Sequence, residues 1–303
     1  MCRKKPHPPA AKSSVLPCGC PYTDLACESE APCSYHEEER VDIGSGVGSV
    51  TVTRRRETNG TTSVTVACGK IAYWEADLLR LARFLARELR CMAEGMLGRP
   101  TGEDTRVLVV GVGNAAMTPD SVGPGTLRRL TATRHFRSCD EEFYRALGCC
   151  ELAALSPGVL GQTGMESWEL VKCAADLIHP DLLVAVDALA ARSLERLVST
   201  VQLTDGGMTP GSGVGNHPTA IDRETVGCPV LGIGVPTVVD SATLILDALK
   251  KAGAAGNELP RGLDQVLKSG RSFIVSPADC DETVEVVCRL LAKALDIAFG
   301  VGE

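Results

Sequence analysis

Apolar residues along this chain follow two rhythms. Trp74 to Met96 carries them at helical spacing, closes near Gly95 and Gly98, and is followed by Pro100. That pattern predicts an amphipathic helix. Thr163–Ile178 and Asp279–Phe299 repeat it, and Ser121–Thr131 can start another helix. Val107–Val112 and Leu182–Val186 are instead unbroken apolar runs, as expected of strands covered on both faces. Pro229–Gly234 is a third such run, followed by Pro236–Asp240 and a helix through Leu249. Val47–Thr53 and Thr61–Ala67 alternate apolar and polar positions around Asn59-Gly60, which predicts a hairpin. Leu189–Leu194 reads as a short helix, Val198–Leu203 as a strand and Ser272–Ser276 as a short strand. Strands alternating with helices predict an α/β fold: a mostly parallel sheet flanked by helices, with a small N-terminal hairpin and helix region. Residues 1–40, rich in Pro, Ser, Cys and charge, predict a flexible leader ahead of a single α/β domain over 41–303.

Composition changes that picture little. With 303 residues, 44% of them hydrophobic and 23% charged, the chain can bury a sizeable core. A net charge of -7 offers no basic field to nucleic acid. No run approaches the ~20 apolar residues of a membrane span, and the basic N-terminus lacks the apolar stretch of a signal peptide. These features point to a cytoplasmic protein. The fourteen cysteines mostly fall in apolar patterns and read as reduced core residues. Cys18, Cys20, Cys27 and Cys33 do not have a standard zinc spacing, so no metal or cofactor is expected. Gly111-Val-Gly113-Asn-Ala-Ala116 fits a loose dinucleotide fingerprint, but Pro119 interrupts the helix that motif needs. A sharp strand-to-loop turn explains the glycines better.

The candidate chemistry lies in carboxylates. Asp187 ends the apolar run Leu182–Val186, and Asp120 follows Val107–Val112 by a short loop. Burying a lone carboxylate costs several kcal/mol. Two brought together at the carboxyl ends of strands must share a proton, and such a pair can act as acid and base on a water. Thr118-Pro-Asp120 can equally cap a helix. Asp240 is a third candidate, or a cap for the helix that follows it. Gly206 to Asn216 is glycine-dense, and with Asn114 it can present backbone N–H groups to a peptide carbonyl; Gly211, Ser212, Gly213, Gly215 and Asn216 are the candidates there. His135 and His217 are the histidines nearest these loops, and no G-x-S-x-G elbow is present.

Several stretches, in order, resemble the germination protease family of spore-forming bacteria. They are Val110–Asn114, Thr118–Pro124, Thr133–His135, Ser156–Glu166, Val186–Arg192, Leu194–Arg196, Pro210–Asn216, Gly232–Asp240 and Phe273–Pro277. The resemblance implies an atypical aspartic endopeptidase that starts the breakdown of small acid-soluble spore proteins. It implies a self-processing zymogen, a homotetramer, and a fold similar to the hydrogenase maturation peptidases. It places the catalytic pair on Asp120 and Asp187. Tyr22–Ser29 resembles the family's processing sequence, with the cut expected between Asp24 and Leu25. Two other expectations are kept beside this one. The first is a metal held by Asp120, Asp187 and His135 or His217, and the second is a non-catalytic binding protein on the same sheet.

Overall fold

The computed structural model describes residues 23–29, 31–43, 48–210, 219–251 and 273–301. Three strands open the described chain: β1 (Cys33–Asp42), β2 (Ser49–Glu57) and β3 (Thr62–Ala67). A 3-10 turn over Ile71–Asp77 leads into helix α1 (Leu78–Leu97), which Gly98 ends in the left-handed conformation. Then come β4 (Arg106–Gly111), α2 (Val122–Leu127), α3 (Arg134–Cys139), α4 (Glu141–Leu147) and β5 (Glu151–Leu155). They are followed by α5 (Leu160–Thr163), α6 (Ser167–Ile178), β6 (Leu182–Ala191) and β7 (Thr200–Thr204). The last elements are α7 (Arg223–Val226), β8 (Val230–Asp240), α8 (Ser241–Lys251), β9 (Ile274–Val275) and α9 (Cys280–Phe299).

The strands form one sheet in the order β1-β2-β3-β7-β8-β6-β4-β5, with β9 on the far stretch of β8. The expected mostly parallel sheet is corrected here to a mixed one. The pairs β8-β6, β6-β4 and β4-β5 are parallel, whereas β1-β2, β2-β3, β3-β7, β7-β8 and β8-β9 are antiparallel. The reason is the link from Ala191 to Thr200. It is shorter than the dozen or so residues that a parallel crossover requires, so β7 returns antiparallel on the far side of β8.

Side-chain alternation divides the core between the two faces of the sheet. Val107, Val109, Val184, Val186, Leu231 and Ile233 face α1 and α9, packing with Leu85, Leu89, Leu291 and Leu295. Leu108, Val110, Leu183, Ala185 and Val230 face the other way, onto Val171 and Ala175 of α6 and Val226 of α7. Every one of these side chains is essentially out of water.

Two further expectations change. The helix expected over Leu189–Leu194 is strand as far as Ala191, because Leu189 to Ala191 stay paired with Pro236 to Val239 of β8. Helix propensity in Ala-Leu-Ala-Ala is worth tenths of a kcal/mol per residue and yields to that ladder. The boundary expected at residue 40 falls inside β1, which pairs with β2 over its whole length. Apart from the half-buried Val41, β1 is exposed throughout, with Glu37, Glu38 and Glu39 in sequence.

Candidate active site

Asp187 sits well inside β6 and is 4% exposed. One of its carboxylate oxygens accepts the N–H of Ala188 at 2.8 Å. Burial pushes its carboxyl well above the ordinary carboxylate range, and the charge of Asp120 pushes it in the same direction, as does that of Asp24. Each of these effects favours the neutral form of Asp187.

Asp120 reaches this place through the loop after β4. Gly113, at φ +113°, turns the chain where a side chain would strike the Asp120 carbonyl. Oδ2 of Asp120 accepts the Asn114 N–H at 2.8 Å. The carboxyl thus reaches back across the turn, and no side-chain cap is made at the start of α2. Gly123 locks the arrangement from the other side, because a Cβ there would lie 2.5 Å from the Val186 carbonyl oxygen and closer still to that of Val112. Burial also raises the Asp120 carboxyl, and its hydrogen bond to Asn114 opposes the shift.

Across the sheet, Asp187 is level with Gly234 of β8, and Gly234 is level with Gln202 of β7. Residues level with one another point to the same face. Gly234 and Gly232 carry no side chain there, and the Leu189 side chain lies over the first while the Thr204 methyl sits close to the second. The result is a cleft of about 350 Å³, whose walls include Leu189, Gln202, Gly232 and Gly234.

The segment Thr23–Ser29 forms one wall of this cleft. Asp24 donates its N–H to the Ala190 carbonyl at 3.0 Å, and its Oδ2 accepts the Ala190 N–H at 2.8 Å. Leu25, 1% exposed, packs with Ala191, Leu197, Val198 and Val239. Gln202 donates from Nε2 to the Asp24 carbonyl at 3.1 Å and accepts the Ala26 N–H on Oε1 at 2.6 Å. Glu28 closes the segment: its carboxylate accepts the N–H groups of Arg192 at 2.7 Å and Ser193 at 3.0 Å, and the Thr23 hydroxyl at 2.6 Å. The Arg192 guanidinium donates to the Glu28 carbonyl.

Of the sequence-derived candidates, Asp120 and Asp24 are near enough to Asp187 for their charges to act on its carboxyl, and Asp24 and Leu25 line the cleft, which neither Asp120 nor Asp187 lines. Asn114 joins Asp120 through its backbone N–H, while its Oδ1 accepts from Ala116 N and Gln162 Nε2, both at 2.9 Å. Asp240 instead caps α8, accepting the Thr243 N–H at 3.2 Å. The His135 ring lies tilted against that of Phe136, with 4.2 Å between centroids, and lines a separate hollow with Arg134, Arg137 and Glu151 along β5. Gly211, Ser212, Gly213, Gly215, Asn216 and His217 lie outside the described residues. Among the described residues, no three His, Cys, Asp or Glu side chains cluster as metal ligands, and no helix is long and apolar enough to cross a membrane. Sequence reasoning missed Gln202, Glu28 and Arg192. The available signal was Gln202 itself, a long polar residue between Val201 and Leu203, on the face of the strand it shares with Thr200 and Thr204.

A profile of the germination protease family matches residues 47–259. A germination protease of Clostridium perfringens is 37% identical over 217 residues, covering 65% of this chain and 66% of that relative. The chain therefore spans about two thirds of the length of that relative. One from Clostridium acetobutylicum is 34% identical over 81% of this chain and 80% of its own length. One from Bacillus cereus is 34% identical over 83% of this chain and 73% of its own. By the length of the profile match and by these relatives, the chain belongs to the germination protease family.

Proposed function

We propose that this chain is an endopeptidase that uses Asp120 and Asp187 as a proton-sharing pair. The observation that carries the reading is where Thr23–Ser29 lies. The segment bearing the expected cut, Asp24-Leu25, is hydrogen-bonded to Ala190, three positions beyond Asp187 on the same strand. In this reading buried Asp187 holds the proton. Asp120, less buried and steadied by the Asn114 N–H, takes a proton from the attacking water. Asp187 then supplies its proton to the leaving nitrogen, and the pair is restored by one proton exchange. The chain would be a zymogen that cuts itself between Asp24 and Leu25. Its substrates in trans would be the small acid-soluble proteins of the spore, cleaved in the cytoplasmic spore core by a homotetramer.

The test is cleavage by full-length Asp120→Asn and Asp187→Asn chains. The substrates are the chain's own Asp24-Leu25 bond and a purified small acid-soluble spore protein. Both variants should lose activity by at least about 10²-fold, the typical contribution of a positioned acid or base. Full activity in either variant refutes the pair.

A further inference from the structure

Gln202 is a polar side chain, 6% exposed, that projects from the floor of the cleft. It is directed to the sheet face of Asp187 by register alone, since both are level with Gly234. Its two carboxamide atoms are distinguished by their partners. Nε2 faces a carbonyl and can only donate; Oε1 faces an N–H and can only accept. Those partners are the Asp24 carbonyl and the Ala26 N–H, one on each side of the Asp24-Leu25 bond. The flanking contacts fix the peptide in place: Asp24 on Ala190, Leu25 in its apolar pocket, and Glu28 on the N–H groups of Arg192 and Ser193.

We propose that Gln202 grips and polarises the scissile amide, a role that rests on the reading of Asp24-Leu25 as the bond cut. As the water oxygen bonds to the Asp24 carbonyl carbon, negative charge gathers on the carbonyl oxygen, where Nε2 already donates. The C–N bond to Leu25 then breaks, and the nitrogen leaves with a proton from the carboxylate pair. Gln202 gives up no proton at any stage. Oε1 on the Ala26 N–H meanwhile prevents the departing side from rotating the carbonyl away from Nε2. A preorganised donor of this kind is worth about 10²–10³ in kcat. Donation to a carbonyl strengthens as charge develops, so the effect belongs to kcat more than to KM.

The experiment compares full-length wild type, Gln202→Ala, Gln202→Glu and Asp187→Asn. Mass spectrometry follows loss of the residues before Leu25. In parallel, kcat and KM are measured on a synthetic peptide of sequence Tyr-Thr-Asp-Leu-Ala-Cys-Glu-Ser. Gln202→Ala should lower kcat about 10²-fold, with a smaller change in KM. Gln202→Glu, nearly the same shape, should lose at least as much, because it sets an oxygen against the carbonyl oxygen. Unchanged kcat in either Gln202 variant overturns the proposal, as does a wild-type product that begins at any residue other than Leu25. The Asp187→Asn arm separates the two readings. If that variant is active, the carboxylate pair fails while the Gln202 comparison stands by itself. If it is inert and the Gln202 variants are normal, only the Gln202 role fails. A wild-type chain that cuts neither itself nor the peptide overturns both.

Discussion

Replacing Leu25 by Ala tests whether the Thr23–Ser29 segment is held by its own anchor. Leu25 is 1% exposed and fills a pocket made by Ala191, Leu197, Val198 and Val239, all on strands or turns fixed elsewhere in the sheet. These walls cannot collapse inward when the leucine is shortened, so the cost takes in both lost transfer energy and a residual cavity. For a fully buried leucine that sum is about 3 kcal/mol, or about 10² in an equilibrium constant. The segment crosses no core layer, so the penalty falls on its docking and not on global unfolding. Native-state hydrogen exchange reads this directly. The amides of Ala26, Arg192 and Ser193, bonded respectively to Gln202, Glu28 and Glu28, should lose about 10² in protection. Val109 in β4 should exchange as before. Unchanged protection at Ala26 and Arg192 would show that Leu25 is not the anchor. An equal loss at Val109 would show that the segment is part of the global fold.

Three other outcomes follow from the same geometry. Asp187→Asn should raise the melting temperature at pH 7. The folded carboxyl is held well above its unfolded value of about 3.9, so the folded state binds more protons and stability falls as pH rises past that value. The gain should shrink toward pH 4, and a variant no more stable at pH 7 than at pH 4, relative to wild type, contradicts the assignment. Gly123→Ala should cost on the order of 1–3 kcal/mol by overpacking and should remove activity by lifting the Asp120 loop off Val112 and Val186. Chemical denaturation and peptide cleavage check it, and normal values in both would contradict the close packing. Asp240→Ala should cost only about 1 kcal/mol through the lost cap, with kcat intact. A kcat collapse at unchanged stability would return Asp240 to the chemistry.

Much of the architecture is legible because burial leaves a pattern. The runs ending near Gly111, Val186 and Gly234 are apolar on both faces, and they are the adjacent parallel strands β4, β6 and β8. Strand direction is not written in such a run; the reversal at β7 follows from the length of its connection. β1 was invisible for the opposite reason. Nearly all of it is exposed, so no alternation marks it. At the site, Asp187 declares itself through the cost of burial, whereas Asp120 looks the same in sequence whether it caps a helix or reaches back to Asn114. Asp240 has the same ambiguity and resolves the other way. Gln202 acquires meaning only from the cross-strand register with Gly234 and Asp187, which a single chain segment cannot encode.

The docking of Asp24 on Ala190 joins positions 166 residues apart. The apolar cluster around Leu25 comes mostly from residues 189 to 239, with Cys27 and Val275 beside it. A nascent chain that has emerged only as far as β5 already carries the segment and Arg55, which donates to the Ser29 carbonyl, but lacks Ala190, Arg192, Ser193 and Gln202, which hold the rest of it. Gln202 and Asp187 are brought level only when β8 inserts between their strands, so the site is assembled after most of the sheet. In the proposed reading, order of synthesis therefore places self-cleavage after most of the sheet has formed.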